Sequence, residues 1–352
     1  MNGFEHGGNV YEAAETAGCS VDEIIDLSSN VSPYTPDTLI SDLDIKALIS
    51  RLPEPYSKKL VQELALRHDV PENTLLAGSG TTEFIHKICR LFSGKKAVIL
   101  QPTYVDYERY ARISDMTVTN VVMTEESGFR FDDEELMGNL SDAALCFICN
   151  PNNPTGKLIW KDDIRFVADM FKNTLFILDE SYADFCTERP PSLIGCSLTN
   201  IIVLKSFSKS YGIPGLRAGY ICCRNKPLME NLAKAVSPWN MNTIAQEVCL
   251  KALRSAISPN MHRLDNNKHA TMAKLAEIDD IKVYDSVANF LLLKLKRSDS
   301  ASFCEYMLSH KILIRDCSNF VGLDSSFVRI AIKRTKEMEL FCRLAKTYFE
   351  IF

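Results

Sequence analysis

The feature that most constrains this chain is a succession of short apolar runs between residues 60 and 223. They do not alternate with polar residues, and helical patterns such as residues 161–171 separate several of them. The runs are residues 75–77, 97–100, 145–149, 175–178 and 201–204. Continuous apolar strands interleaved with helices are typical of a buried parallel sheet. The pattern therefore predicts an α/β fold with a large, doubly wound, mostly parallel sheet.

A polar or glycine-rich loop follows each apolar run. These loops are residues 78–82, 101–104, 150–156, 179–182 and 205–209. In doubly wound sheets, ligands bind beyond the carboxyl ends of the strands. We therefore expect the five loops to converge on one site.

The pattern changes after Pro238. Helical patterns and short apolar runs then follow one another in the order 242–256, 260–278, 289–294, 300–310, 312–314 and 327–330. This order predicts a smaller α+β lobe completed by the start of the chain. We expect a large domain at residues 36–237 and a small domain made of residues 1–35 plus 238–352, with the active site between them.

Composition excludes several functional classes. The 352 residues are 46% apolar and 24% charged, which are globular proportions. Lysine and arginine number 40 against 45 acidic residues, without a long run of either sign, so nucleic acid is disfavoured as a partner. No apolar stretch approaches the roughly 18 residues of a membrane span, and residues 1–9 lack the features of a signal peptide. We expect a cytoplasmic protein with no membrane partner.

The twelve cysteines are scattered through apolar segments, which favours reduced thiols over a disulfide framework. Cys146 and Cys149 have C-x-x-C spacing but lie in one of the strand-like runs. Residues three apart in a strand point to opposite faces. No metal site is predicted.

Two charged residues follow apolar runs. Asp179 ends one so apolar that its carboxylate needs a cationic or hydrogen-bonding partner, such as a protonated ring nitrogen. Lys209 follows another run and two serines, and by itself is compatible with an ordinary surface lysine.

Three motifs together carry a family resemblance. They are Asn-Pro-Asn-Asn-Pro-Thr-Gly at 150–156, Asp-Glu-Ser-Tyr at 179–182, and Ser-Phe-Ser-Lys at 206–209 with Gly-Leu-Arg at 215–217. Together they resemble fold-type I pyridoxal-phosphate enzymes of the aspartate aminotransferase superfamily in both order and spacing. The resemblance covers essentially the whole chain and implies pyridoxal 5'-phosphate as cofactor.

The resemblance implies a role for each motif residue. Lys209 is the Schiff-base lysine, which holds the cofactor and moves protons. Asp179 pairs with the pyridine nitrogen, while Asn153 and Tyr182 hydrogen-bond the 3-oxygen. Tyr104 stacks on the ring; its alternative role is that of a core aromatic whose hydroxyl is satisfied elsewhere.

The cofactor phosphate requires donors and positive charge. A helix that opens after a strand provides free backbone amides and a favourable dipole, and hydroxyl and guanidinium groups add further donors. The implied residues are Gly80, Thr81, Thr82, Ser206, Ser208 and Arg217.

A departure from the family concerns subunit contacts. Relatives carry a tyrosine-proline pair whose tyrosine reaches the partner's cofactor phosphate, whereas this chain has Leu52-Pro53 with Tyr56 three residues later. We expect Tyr56 to take this role in a homodimer.

Segments near both chain ends narrow the family. His-Gly-Gly-Asn at 6–9, together with residues 27–33, 312–317 and 322–332, resembles the threonine-phosphate decarboxylase family of cobamide biosynthesis, whose nearest relatives are the histidinol-phosphate aminotransferases. The first motif is typical of the decarboxylases. The implied reaction converts L-threonine O-3-phosphate to (R)-1-aminopropan-2-yl phosphate, and/or L-serine O-phosphate to ethanolamine phosphate. These substrates differ by one methyl group, worth about 1–3 kcal/mol, so the preference stays open.

Two arginines support a substrate with two anionic ends. Arg315 and Arg329 follow or lie within apolar segments, where a guanidinium requires an anion. Ion pairs with neighbouring aspartates, Asp316 or Asp324, are the structural alternative. The resemblance implies that both arginines contact the substrate's phosphate or carboxylate, in an order left open. The other implied substrate residues are His6, Gly8, Asn30 and Asn153.

Two other functions remain open. A histidinol-phosphate-type aminotransferase shares nearly every cofactor residue. A catalytically silent effector module on this fold is disfavoured by the intact Lys209 and by motifs that begin too early for an N-terminal helix-turn-helix extension.

Overall fold

The strands and helices of the chain are taken from a computed structural model that describes residues 6–186, 192–254 and 260–351. The strands are β1 (Ile25–Asp26), β2 (Leu75–Gly78), β3 (Lys96–Gln101), β4 (Thr117–Val122), β5 (Leu145–Cys149), β6 (Leu175–Asp179), β7 (Ile201–Ser206), β8 (Gly219–Cys223), β9 (Ile281–Val283), β10 (Phe290–Leu295), β11 (Ile312–Leu313), β12 (Arg315–Asp316) and β13 (Phe327–Ala331). The α-helices are α1 (Val10–Ala17), α2 (Ile45–Ile49), α3 (Lys58–His68), α4 (Thr81–Leu91), α5 (Asp106–Ile113), α6 (Asp133–Gly138), α7 (Lys161–Met170), α8 (Phe207–Ser210), α9 (Lys226–Ala235), α10 (Thr243–Arg254), α11 (Met261–Leu275), α12 (Ser300–Ser309) and α13 (Thr335–Ile351).

A seven-stranded sheet with the order β2-β8-β7-β6-β5-β3-β4 forms the centre of the molecule. Strands β4, β3, β5, β6 and β7 pair in parallel, and β8 is antiparallel to both β7 and β2. Because two antiparallel steps restore the direction, β2 runs the same way as β7. The carboxyl ends of the five strands recognised in the sequence therefore lie at one edge, and the predicted α/β fold is confirmed.

The sheet is covered on both faces, because its central strands are apolar throughout. In β5, Phe147 and Cys149 pack into one core cluster, whereas Cys146 and Ile148 pack into another. The two C-x-x-C thiols therefore point to opposite faces, as predicted, and burial raises the pKa of both. All twelve cysteines are unpaired. Within the described ranges, no group of three or more histidine, cysteine or acidic side chains is arranged to hold a metal.

A second, antiparallel sheet with the order β12-β13-β10-β9 lies in the C-terminal part of the chain. The start of the chain joins it, because β1 pairs in parallel with β11. Leu27 continues this link: its amide donates to the Leu313 carbonyl at 2.8 Å, and its carbonyl accepts from the Ala331 amide at 2.7 Å. The two chain ends are thus assembled into one unit.

Helix α10 packs against the large sheet, although the predicted domain boundary places it in the small domain. Its residues Ala245, Val248 and Cys249 pack in one cluster with Leu60 and Leu64 of α3 and with β2 and β8 of the large sheet. The predicted boundary at residue 237 assigns this helix to the small domain, whereas these contacts associate it with the large one. We propose a two-domain division whose second boundary lies after α10.

Helices α11, α12 and α13 belong to the C-terminal part of the chain. Helix α13 contacts both α11 and α12, and Phe303 of α12 packs against Phe341 and Phe349 of α13. In the portion of the chain that the structure describes, no helix is both long enough and apolar enough to cross a membrane.

Candidate active site

A cavity of about 530 Å³ lies at the carboxyl edge of the large sheet. The loops that follow β2, β3, β5, β6 and β7 all contribute to its wall, as the sequence pattern predicts. The predicted residues that line it are Gly80, Thr81, Thr82, Tyr104, Asn153, Asp179, Tyr182, Ser206, Ser208, Lys209 and Arg217. Tyr107, Cys149 and Ser181 line it as well and were missed in the sequence.

Asp179 is held rigidly at the end of β6, where it is only 5% exposed. Its Oδ2 accepts a 2.8 Å hydrogen bond from the Tyr107 hydroxyl, and its Oδ1 accepts a 2.9 Å bond from the Ser181 amide. Tyr107 is fully buried and stacks on Phe147 with ring centroids 5.1 Å apart. A buried tyrosine thus fixes the orientation of the carboxylate at the cavity wall.

Lys209 lies in the short helix α8, directly after β7. Ser206 caps this helix by accepting a 3.2 Å bond from the Ser208 amide, and the Lys209 carbonyl accepts a 2.9 Å bond from the Ser32 amide. Burial, together with the charges of Arg329 and Arg217, lowers the pKa of Lys209 to about 8 against the opposing effect of Asp179. A lowered pKa increases the fraction of neutral amine, the nucleophilic form, near neutral pH.

The N-terminus of α4 has the features of a candidate anion site. Gly80 precedes this helix with φ +81°, and a Cβ at this position would lie 3.0 Å from Nη2 of Arg217. Glycine therefore permits both the backbone conformation and the close approach of the guanidinium. The first-turn amides of an α-helix have no intrahelical acceptor, and with the helix dipole they favour an anion.

A second cavity of about 540 Å³ adjoins the first. Tyr104, Asn153, Tyr182 and Lys209 line both cavities. The remaining lining residues come from distant parts of the chain and are His6, Gly7, Ser28, Ser29, Asn30, Val105, Arg315, Phe320 and Arg329. The structure therefore brings together the predicted substrate residues, except that Gly7 rather than Gly8 lines the wall.

Gly8 has a supporting position instead. Its amide donates to the Ser28 hydroxyl at 2.7 Å. The neighbouring Gly7 lies so close to the chain that a Cβ there would be 2.4 Å from the Ser28 carbonyl oxygen. The paired glycines allow the N-terminal segment to lie directly on Ser28.

Arg329 lies in the middle of β13 and is only 5% exposed. Its two Nη atoms donate to Oδ1 of Asn153 and, at 2.6 Å, to the Ser28 carbonyl. Its Nε has no hydrogen-bond partner among the described residues, and burial lowers the pKa of the guanidinium. Arg329 is therefore a buried cation whose described hydrogen bonds go to neutral oxygens, a state that an anion would stabilise.

Arg315 lies opposite Arg329 in the pairing of β12 with β13. It is 6% exposed, donates to Oδ1 of Asn319 at 2.7 Å, and lies over the Phe320 ring. Like charges directly opposite each other on neighbouring strands are destabilising. Two guanidinium groups therefore lie next to each other at the wall of the second cavity.

Asn30 and Tyr182 occupy the boundary between the two cavities. Nδ2 of Asn30 donates to the Tyr182 hydroxyl at 3.4 Å, while Oδ1 of Asn30 has no partner in the described part of the chain. Burial raises the pKa of Tyr182 to about 12, although Arg329 acts in the opposite direction. Tyr182 therefore stays a neutral hydrogen-bond donor at physiological pH.

A loop that hydrogen-bonds the Lys209 backbone is held by cations from the C-terminal part of the chain. We call residues 28–33 the clamped loop. Besides Arg329, Lys333 donates to the Ser29 and Val31 carbonyls at 2.9 Å each, and Arg334 donates to the Pro33 carbonyl at 2.7 Å. Nothing in the local sequence of the loop predicts these bonds, because the donors lie about three hundred residues away.

His6 and Tyr104 are joined through Asp106, a residue that sequence reasoning missed. Nε2 of His6 lies 3.0 Å from Oδ1 of Asp106, and the Tyr104 hydroxyl donates to Oδ2 at 2.8 Å. Asp106 and Tyr107 directly follow the loop at 101–104, so their proximity to that loop was the signal available.

Tyr56 lines neither of these cavities. It is 45% exposed, has φ +56°, and its amide donates to the Pro238 carbonyl at 2.6 Å. Contact with a partner's cofactor stays a prediction.

Comparison with known proteins identifies the class. The family model for aminotransferase class I and II matches residues 22–343, and the chain belongs to this family. Enzymes of this family are pyridoxal-phosphate dependent, which confirms the predicted cofactor and superfamily.

Particular relatives of two kinds are similarly close. The chain is 33% identical to the threonine-phosphate decarboxylase of Salmonella typhimurium over 95% of its length and 93% of that protein. It is 31% identical to the histidinol-phosphate aminotransferase of Methanocaldococcus jannaschii over 95% of its length and 91% of that protein. The crystal structure of L-threonine-O-3-phosphate decarboxylase from Porphyromonas gingivalis matches with a TM-score of 0.84 and 32% identity, covering 93% of this chain and 100% of that one.

This chain also matches part of a longer relative. The chain is 32% identical to the adenosylcobalamin biosynthesis bifunctional protein of Leptospira interrogans over 96% of its length, and it spans 40% of that protein.

Proposed function

We propose that this protein is a pyridoxal-phosphate-dependent decarboxylase of a small O-phosphorylated amino acid. The substrates are L-threonine O-3-phosphate and/or L-serine O-phosphate, the products are (R)-1-aminopropan-2-yl phosphate and ethanolamine phosphate, and the pathway is formation of the cobamide nucleotide loop. The observation that carries the proposal is the second cavity, where His6, Arg315 and Arg329 meet beside Lys209.

The first cavity has the donor chemistry that pyridoxal phosphate requires. Lys209 provides the amine, Asp179 a fixed carboxylate for the ring nitrogen, and Tyr104 an aromatic face. Asn153 and Tyr182 provide donors for the 3-oxygen. The phosphate donors are those of the α4 N-terminus and of the surrounding side chains, Gly80, Thr81, Thr82, Ser206, Ser208 and Arg217. When bound, the cofactor supplies the electron sink that stabilises negative charge at the substrate Cα.

The positions of the two arginines favour a division of the anionic groups. Arg329 bonds Asn153, which lines both cavities, and its charge acts on Lys209. Both arginines line the second cavity and neither lines the first. We assign the substrate carboxylate to Arg329, nearer the reacting atoms, and the substrate phosphate to Arg315 with His6. Anchoring the phosphate uses binding energy remote from the reaction to orient the bond that breaks.

Lys209 is the group best placed to move protons. With its pKa at about 8, the amine exists in both protonation states near neutral pH. After loss of carbon dioxide, we assign to it the delivery of a proton to the substrate Cα. The clamped loop is attached to the backbone of this lysine through the bond from the Ser32 amide to the Lys209 carbonyl.

The competing reaction is transamination of histidinol phosphate. That substrate carries one anionic group, the phosphate, and no carboxylate. Two guanidinium groups paired across neighbouring strands favour a substrate with two anionic ends.

The deciding experiment supplies phosphothreonine and pyridoxal phosphate but no keto acid. Sustained carbon dioxide release over many turnovers is expected, because decarboxylation regenerates the cofactor. A single stalled turnover that leaves pyridoxamine phosphate contradicts the proposal. Phosphoserine in a parallel assay gives kcat/KM for the substrate that lacks the methyl group.

We further propose that the active unit is a cytoplasmic homodimer. Ile49, Leu52, Tyr56 and Trp239 are large apolar side chains left 45–71% exposed in the protomer, and the backbone bond from Tyr56 to Pro238 joins their two segments. Light scattering is expected to give twice the protomer mass. A Leu52→Asp variant should shift this mass towards that of the monomer. If light scattering of the native protein gives the mass of one protomer, the proposal is contradicted.

A further inference from the structure

We propose that Asp106 is a positioning residue that locks the N-terminal segment over the substrate cavity by holding His6 and Tyr104 at once. The inference rests on the proposed function in one respect, namely that His6 contacts the phosphorylated end of the substrate.

The carboxylate of Asp106 is shared between two distant regions. It is 4% exposed at the start of α5; Oδ1 lies 3.0 Å from Nε2 of His6, and Oδ2 accepts the Tyr104 hydroxyl at 2.8 Å. The rings of His6 and Tyr104 are 5.4 Å apart. One buried carboxylate thus fixes the spacing between Tyr104, which lines both cavities, and His6, which lines the second.

The N-terminal segment has few other attachments near the site. Its described contacts are the Gly8 amide on the Ser28 hydroxyl and the close approach of Gly7 to the Ser28 carbonyl. The His6 side chain is still 38% exposed. Packing alone therefore does not determine the ring orientation, which makes the bond to Asp106 the main constraint.

This arrangement suits a histidine that binds an anion. Nε2 faces the carboxylate of Asp106. In the imidazolium form the ring carries a second N–H on Nδ1, which can donate to an anionic ligand, and a carboxylate behind a histidine fixes the direction of its ring. Burial raises the pKa of Asp106, but the hydrogen bonds from His6 and Tyr104 outweigh this effect and the net pKa is lowered. Asp106 therefore remains ionised at neutral pH.

A purely structural role for Asp106 has less support. Asp106 is the first residue of α5, and the residue before it, Val105, makes no side-chain cap. Arg109 on the same helix approaches Oδ1 only to 3.7 Å. The two short contacts of the carboxylate are with His6 and Tyr104, which both line the second cavity.

The test is a double-mutant cycle between His6 and Asp106. His6→Ala and Asp106→Ala should each raise KM for phosphothreonine about 10- to 100-fold, the usual effect of losing such a supporting partner, while kcat and the cofactor absorbance stay nearly constant. The KM of the double variant should not exceed the higher of the two single-variant KM values, because both changes remove the same contact. Asp106→Glu should restore part of the loss, and Asp106→Asn tests the charge at nearly constant shape.

A matched control is Asp162, which lies in the first turn of α7 with its side chain 75% exposed. Asp162→Ala should leave KM unchanged. Multiplicative effects in the double variant, or an Asp106→Ala variant whose kcat or cofactor absorbance falls while KM is constant, overturn the inference. If the native enzyme transaminates rather than decarboxylates, the same cycle is run on KM for histidinol phosphate, so the two proposals fail separately.

Discussion

The two adjoining cavities are built in different ways. The first takes its walls from loops that follow consecutive strands of one sheet, and each of its key residues lies within a few residues of a strand end. The second takes its walls from the N-terminal segment, the clamped loop and two strands near the C-terminus. The backbone of the sheet positions the first cavity, whereas side-chain bonds to distant carbonyl and amide oxygens position the second.

This difference has a functional consequence. The residues that match motifs of a large superfamily lie at the ends of the sheet strands, and Asp179 is further oriented by the Tyr107 hydroxyl. Under the proposed function, selection among substrates depends on segments that are held together by a few long-range bonds, such as those of Arg329 and Lys333. Substrate preference can therefore change without disturbing the cofactor site.

The largest effect is expected from Lys209→Ala. Loss of the amine removes the covalent attachment of the cofactor and the proton donor, so turnover should fall by at least about 10⁴-fold. The absorbance of the cofactor-lysine imine should disappear as well. Turnover near the native level would show that Lys209 has no part in the reaction and that the first cavity is not the active site.

Arg329→Met tests the second cavity alone. Removal of a buried, hydrogen-bonded charge costs about 2–5 kcal/mol of binding, so kcat/KM should fall by about 30-fold or more. The cofactor absorbance should persist, because the first cavity keeps its own residues. The exposed Arg343 provides a matched control, since Arg343→Met should have no effect. Loss of the cofactor in Arg329→Met would show that the two cavities are not separable.

Tyr107→Phe probes the support of the first cavity. The change leaves Oδ2 of buried Asp179 without its 2.8 Å donor, which costs about 1–3 kcal/mol. We expect kcat to fall about tenfold with KM for the phosphorylated substrate unchanged. Tyr110→Phe on the same helix is the control and should behave like the native enzyme. An effect on KM alone would indicate that Tyr107 supports substrate binding in the second cavity instead.

The smallest effect concerns pH. Burial and the charges of Arg329 and Arg217 lower the pKa of Lys209 from 10.5 to about 8, so the neutral fraction of the amine rises from about 10% at pH 7 to about 90% at pH 9. The rate constant for uptake of pyridoxal phosphate by the apo-protein should rise about ninefold over this range and then level off. A rate that keeps rising beyond pH 10 indicates an ordinary lysine.

The same shift has a stability counterpart with a definite sign. Between about pH 8 and 10.5 the unfolded chain binds more protons at Lys209 than the folded chain does. The contribution of this residue to the free energy of unfolding therefore increases as the pH rises through that window. It is measured as the difference between native and Lys209→Met apo-proteins in denaturant titrations at several pH values.

Most of the first cavity was predictable, because local patterns encode it. A strand and the loop after it are continuous in sequence, so Asp179 and Lys209 could be placed at the sheet edge from the apolar runs before them. Strand β4 was not recognised, because only one of its six residues is fully buried and it lacks a continuous apolar run. Strand β8 was missed because its antiparallel pairing breaks the alternation of strands and helices.

The second cavity was predictable only through the family resemblance. His6, Arg315 and Arg329 were named from motifs, but Asp106, Ser28 and Lys333 were not. Their roles depend on contacts across about 20 to 300 residues, which no periodicity reveals. The contacts of α10 with the large sheet were not predicted either, since the apolar face of a helix does not specify which sheet it covers.

The amino-acid sequence by itself determined the class of fold, the edge of the sheet where chemistry occurs and the cofactor, because these follow from local patterns and contiguous motifs. Only the tertiary structure decided which residues orient the site: the Tyr107 hydroxyl on Asp179, the Asp106 carboxylate between His6 and Tyr104, and the cations that hold the clamped loop. Buried charges and polar groups must find partners wherever the packed chain brings them. That choice is made by the folded arrangement of both chain ends and has no local signature.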